Sequence, residues 1–144
     1  MKKLFIFAMF FCKSYSLINV IGAGYVGLVL GVGLAELGFP LICSDIDKKK
    51  INSLLKAEIS FYEPGLKDLV EKNLNKSSLN FTTDIPQAVK DSSIIFVAVG
   101  APMKKGGDAD LSSIYKVIDF ISENLNGYKI IAIKSTVLIG VVSN

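Results

Sequence analysis

From residue 17 onward, short apolar runs alternate with stretches whose apolar residues recur at helical spacing, the pattern of parallel strands joined by helical crossovers. LINVIG predicts a strand over 17–22, and the periodicity after it predicts a helix over 25–37. Gly38 then stands where a left-handed residue closes helices. PLICSD, 40–45, is apolar enough for a strand covered on both faces. A helix over about 47–56 turns Ile51, Leu54 and Leu55 to one side, and Pro64 suits the first turn of another, with Leu66, Leu69 and Val70 inward. A short strand at 79–83, a helix at 85–90 and the strand SIIFVAV at 93–99 follow. A Gly- and Lys-rich loop over 100–108 leads to a helix capped by Asp110 and ending near residue 125, and YKIIAIKST, 128–136, is the fifth strand. There is no internal repeat, so these elements make one unit. The closing VLIGVVSN is still apolar and reads as a domain cut short of its end.

Propensity alone does not explain VIGAGYVGLVLGVGLAELG, 20–38, where Gly22, Gly24, Gly27, Gly31 and Gly33 interrupt an apolar helix. Each interior Gly is about 1 kcal/mol less favourable there than Ala. The first three form GxGxxG at a strand-to-helix junction. Gly22 permits the tight turn, Gly24 lets the backbone approach a pyrophosphate, and Gly27 lets helix and strand pack closely. The bared amides and the positive end of the helix dipole then face the phosphates. Gly31 and Gly33 are expected to serve close packing of helix on sheet. Asp45 ends the second strand 23 residues after Gly22, placed to accept hydrogen bonds from an adenosine ribose 2′-hydroxyl. The constellation predicts a Rossmann-type α/β fold, a doubly wound parallel sheet that binds a dinucleotide. The cofactor is NAD rather than NADP, because a carboxylate repels a 2′-phosphate and the chain has no Arg to clamp one. Lys48, Lys49 and Lys50 weaken that preference, or form only a solvated helix turn.

Composition narrows the chemistry further. A chain of 144 residues, 51% apolar and 20% charged, is one globular domain with one core. Its net charge of +3 rests on scattered lysines, which is no footprint for nucleic acid. The chain has no His, and Cys12 and Cys43 have no metal-ligand spacing, which excludes zinc chemistry and imidazole catalysis. The opening MKKLFIFAMFFCKSYS outlines a short secretory signal whose apolar run, Leu4 to Cys12, is too short to span a bilayer. An appendage or a misassigned start fits residues 1–16 as well. The nucleotide-binding domain over 17–144 implies a cytoplasmic protein without a membrane partner.

GAGYVGLV, Asp45 with Lys50 five residues on, YEPGL (62–66), FTTD (81–84), VAVGAP with DADLS (108–112), and IKSTV (133–137) together resemble the NAD-binding domain of the UDP-glucose/GDP-mannose dehydrogenase family, the UDP-glucose 6-dehydrogenases in particular. The resemblance implies oxidation of a nucleotide sugar's C6 alcohol to a carboxylate, with two NAD⁺ and a thioester on a Cys. Gly22, Ala23, Gly24, Tyr25, Val26 and Gly27 would hold the pyrophosphate, and Asp45 the adenosine ribose with Lys50 nearby. Residues 99–102, Ala101 among them, would border the cofactor, and Ser135 and Thr136 would sit by the nicotinamide. The 62–66 stretch lies near the same cleft or is only a helix start. Ala101, Leu138 and Val141 depart from the family's Thr, Pro and Thr.

The catalytic Cys of such enzymes, its accompanying Lys and Asn, an active-site Glu and the UDP-binding domain belong to later parts of the chain. No catalytic residue is therefore assigned here, and Thr136 receives only a place near the nicotinamide. Cys43 lies within a strand, where a buried thiol is inert. A nucleotide sugar becomes a partner only when such a second half is supplied, and the family is typically homo-oligomeric. A GDP-mannose or UDP-N-acetylmannosamine dehydrogenase fragment, or a non-catalytic nucleotide-binding remnant, stays open. With the fifth strand at a sheet edge and 137–142 uncovered, poor solubility is expected.

Overall fold

The computed structural model of the chain describes residues 16–102 and 109–135. Five strands, β1 (Ile18–Ile21), β2 (Leu41–Ser44), β3 (Leu79–Thr82), β4 (Ile94–Val97) and β5 (Ile130–Ile133), form one sheet in the order β3-β2-β1-β4-β5. Every neighbouring pair is parallel. The connections carry α1 (Tyr25–Glu36), α2 (Lys48–Leu54), α3 (Leu66–Asn75), α4 (Ile85–Asp91) and α5 (Ser112–Glu123). The sheet grows from β1 to β3 in one direction and then resumes at β4 on the other side of β1. That reversal opens a crevice at the carboxyl ends of β1 and β4, where doubly wound sheets bind ligands.

Both faces of the sheet are covered over β1, β2 and β4, which is why these strands read as apolar runs rather than alternating ones. Ile18, Val20, Leu41 and Cys43 pack with Leu28 and Val32 of α1 and Val70 of α3 on one face. Ile21, Ile95 and Val97 pack with Val89 of α4 and Ile121 of α5 on the other. A Cβ at Gly31 would lie 2.6 Å from the Cys43 sulfur, so this glycine does allow α1 to approach β2. Gly33 does not share that role, because it is exposed and a Cβ there meets nothing within 4 Å.

Local chemistry sets the helix ends. Asp47 caps α2, its carboxylate accepting from the Lys49 and Lys50 amides at 2.9 and 3.1 Å. Asp84 caps α4 through the Gln87 amide at 3.1 Å. Asp110 accepts from the Ser112 amide at 3.0 Å, one residue ahead of Leu111, where α5 is capped. Pro64, expected in the first turn of α3, stands outside it, because Gly65 at φ +76° takes the cap. Leu69 is only half-buried and Asn73 is buried in α3 instead, bonded to Glu36 of α1 at 3.0 Å. β5 lies at the sheet edge with Ile130 and Ile131 exposed, while the apolar stretch 137–142, like the leader through residue 15, lies outside the described residues.

Candidate cofactor site

The β1–α1 turn is shaped by its glycines. Gly22 has φ +102°, and a Cβ there would lie 2.8 Å from the Ala98 carbonyl oxygen of the neighbouring β4 segment. A Cβ at Gly27 would lie 1.9 Å from the Gly22 carbonyl oxygen. Gly24 differs: its backbone is extended, at φ −78° and ψ −169°, and a Cβ would meet no atom of the described residues within 4 Å. The first and third glycines are thus demanded by the protein itself, whereas the second faces open space. No side chain caps α1 and no acid stands in its first turn, so side chains leave the amides at its start unclaimed. A small, open, electropositive turn of this kind fits a diphosphate.

Asp45 closes the turn from the tip of β2. Its Oδ2 accepts from the Ala23 amide at 2.9 Å and from the Lys50 ammonium at 2.7 Å, while Oδ1 accepts from the Asp47 amide at 3.0 Å. Burial pushes this carboxyl's pKa up, but the bonds from Lys50, Asp47 and Ala23 outweigh burial and hold it below its ordinary value. The group is therefore a carboxylate at neutral pH, an acceptor fixed 23 residues from Gly22 in sequence and one hydrogen bond from the turn.

A cleft of about 680 Å³ runs from this turn across the ends of β1 and β4. Gly22, Gly24, Asp45, Lys50 and the 98–100 segment line its floor. One wall is apolar, made by Ile46, Ile85, Pro86, Val117 and Phe120. Those wall residues were not singled out from the sequence, although Ser113, Lys116, Val117 and Phe120 recur on α5 at the spacing of one helix face, which was the available signal.

The remaining expected residues fall around the cleft rather than in it. Ala23 is buried, with its amide on Asp45, and Tyr25 and Val26 are exposed at the start of α1. Ala101 is half-buried and is not among the lining residues. Ser135 donates its hydroxyl to the Val99 carbonyl at 2.6 Å, which ties the end of β5 to the cleft-lining segment. Thr136 and residues 103–108 lie outside the described residues. The 62–66 stretch does not line the cleft; it reaches the turn from outside, Tyr25 donating its hydroxyl to Glu63 Oε2 at 2.8 Å. Cys43 is fully buried, and desolvation pushes its thiol pKa to about 12, so it is not a nucleophile.

The NAD binding domain description of the UDP-glucose/GDP-mannose dehydrogenase family matches residues 16–144. The chain belongs to that family. This nucleotide-sugar dehydrogenase NAD-binding domain is 54% identical over 123 residues to the UDP-glucose 6-dehydrogenase TuaD of Bacillus subtilis, a match covering 85% of the chain and 27% of that relative. Among solved structures it superposes on a ternary complex of GDP-mannose dehydrogenase from Pseudomonas aeruginosa with a TM-score of 0.83 and 36% identity, covering 88% of the chain and 30% of that protein. A UDP-glucose dehydrogenase from Pyrobaculum islandicum gives a TM-score of 0.84 at 29% identity, with the same coverage of 88% and 30%. The family domain therefore spans less than a third of the length of each of these three proteins. Its cofactor is NAD, as the glycine turn and Asp45 imply.

Proposed function

We propose that NAD lies across the β1–α1 turn, with its pyrophosphate over Gly24 and the amides of Tyr25 and Val26, and its adenosine ribose on Asp45 and Lys50. The adenine then enters the apolar wall between α4 and α5, and the nicotinamide extends over the 98–100 segment toward Ser135. The observation that carries this reading is Gly24: of the three motif glycines it alone has no atom of the described residues near its absent Cβ, and it lines the cleft that Asp45 closes. The hydride acceptor is supplied by the bound cofactor, while the chain's own residues hold and orient it.

The substrate of the complete enzyme is proposed to be UDP-glucose, supported by 54% identity to TuaD. A location in the cytoplasm, where NAD and nucleotide sugars are found, follows from the same reading. Among the described residues no helix is long and apolar enough to cross a membrane. The 144 residues by themselves are proposed to bind NAD without turning over the sugar, because the one described thiol, Cys43, is sealed in the core.

A fluorescence titration with NADH, followed by UDP-glucose and NAD⁺ in an absorbance assay, tests both parts. Saturable NADH binding without NADH production is expected. Absence of binding overturns the cofactor reading, and steady turnover overturns the statement about the isolated residues.

A further inference from the structure

α1 and α3 run side by side and are joined at both ends. Toward the carboxyl end of α1, Glu36 bonds Lys72 and Asn73 of α3. At its start, Tyr25 donates to Glu63 Oε2 at 2.8 Å, and its ring meets Phe61 edge-on at a centroid distance of 5.0 Å. Glu63 is itself fixed, its carbonyl accepting from the Leu66 amide at 3.2 Å across the left-handed Gly65. Between Phe61 and Glu63, Tyr62 stands 87% exposed, and within 60–65 only the two residues that reach back to α1 are partly buried.

Tyr25 is the first helical residue after Gly24, and at Gly24 no neighbouring atom lies within 4 Å of the absent Cβ. On the cleft side the Asp45 carboxylate holds the Ala23 amide just before Gly24. Tyr25 adds a second side-chain restraint from the opposite side of the turn. The Tyr25 hydroxyl is a donor at neutral pH, and its bond to Glu63 raises its pKa further. A donor aimed at a carboxylate is the stronger and more directional kind of hydrogen bond.

We infer that Tyr25 and Glu63 are a positioning pair, which orients the amides at the start of α1 and so lets the α2–α3 loop govern pyrophosphate affinity without touching the cofactor. The inference rests on the proposed placement of the pyrophosphate over Gly24. It assigns a role to YEPGL outside the cleft, where Glu63 acts through Tyr25 and the free Tyr62 contributes nothing to cofactor affinity.

The test is a double-mutant cycle on the 144-residue chain, using NADH, ADP-ribose and adenosine as probes. Tyr25→Phe and Glu63→Ala are each expected to raise the Kd for NADH and ADP-ribose by about three- to ten-fold, the scale of one partly exposed charge-assisted bond. The double variant should raise it no further, adenosine affinity should not change because adenosine carries no phosphate, and Glu63→Gln, which keeps an acceptor, should restore most of the loss. If the wild-type chain binds NADH and neither single variant changes that affinity, the inference is overturned. Additive effects, or adenosine falling in step with ADP-ribose, overturn it as well, because the loop would then act on the fold as a whole. A wild-type chain that binds no NADH overturns the cofactor placement instead.

Discussion

Gly24→Ala and Gly27→Ala are the same chemical change three residues apart, and the structure predicts opposite outcomes. At Gly27 the new methyl would sit 1.9 Å from the Gly22 carbonyl oxygen and 3.2 Å from the Ala98 Cβ. The carbonyl is backbone in the tight turn itself, so it yields only if the turn opens. Overpacking of this kind destabilises by about 1–3 kcal/mol, which lowers Tm by roughly 3–12 °C for a chain of this size. At Gly24 the extended backbone accepts any residue and the methyl meets no protein atom. Replacing a glycine cap by Ala costs about 0.5–1 kcal/mol, and the smaller entropy of the unfolded chain returns about 0.4–1 kcal/mol, so Tm should move little. The methyl instead stands where the diphosphate must come into contact with the amides. Displacing even one charge-assisted bond of about 1.5–3 kcal/mol raises Kd for NADH by about ten- to a hundred-fold. Thermal melts of both variants, with NADH titrations of each that folds, decide the matter. Wild-type NADH affinity in Gly24→Ala would refute the reasoning, as would a Gly27→Ala variant as stable as the parent.

Acid melts should expose Asp45. Its folded pKa lies below the unfolded carboxylate value of about 4, so its contribution is present above that value and is lost as pH falls through the folded one. Between pH 6 and pH 3 the parent should lose Tm more steeply than Asp45→Asn, and equal slopes would count against the bonds described. Cys43 should resist thiol reagents at pH 8 until denaturant is added, as read by mass mapping of the modified peptide, because its thiol is sealed and poorly ionised. Asn19 is fully buried in β1 with its Oδ1 on the Ser44 hydroxyl, while its Nδ2 has no partner. An unsatisfied buried donor costs about 1–3 kcal/mol, so the Asn19→Val, Ser44→Ala double variant should melt higher than the parent, and a lower Tm would contradict that accounting.

The strands β1, β2 and β4 were legible because both of their faces are covered, and α3 and α5 because each shows one apolar side. The turn was legible for a different reason: the Gly27 position meets the Gly22 carbonyl five residues back within the same motif, and Gly22 takes a left-handed φ of +102°. The position of Pro64 misled because the left-handed Gly65 beside it is the stronger start signal for α3. Gly33 misled because a glycine in a helix looks the same whether it meets a strand, as Gly31 does, or water. The apolar wall went unread because its residues come from three separate segments that only the sheet's reversal brings together. The Tyr25 to Glu63 bond spans 38 residues and has no local signature at all.

The central claim is that the amides of the β1–α1 turn and the carboxylate of Asp45 together seat NAD. Calorimetric titration of NADH and NADPH into the parent chain and into Asp45→Ala tests it most directly. The parent should bind NADH more tightly than NADPH, and Asp45→Ala should lose NADH affinity and with it that preference. Unchanged NADH affinity in the variant, or tighter binding of NADPH by the parent, would contradict it.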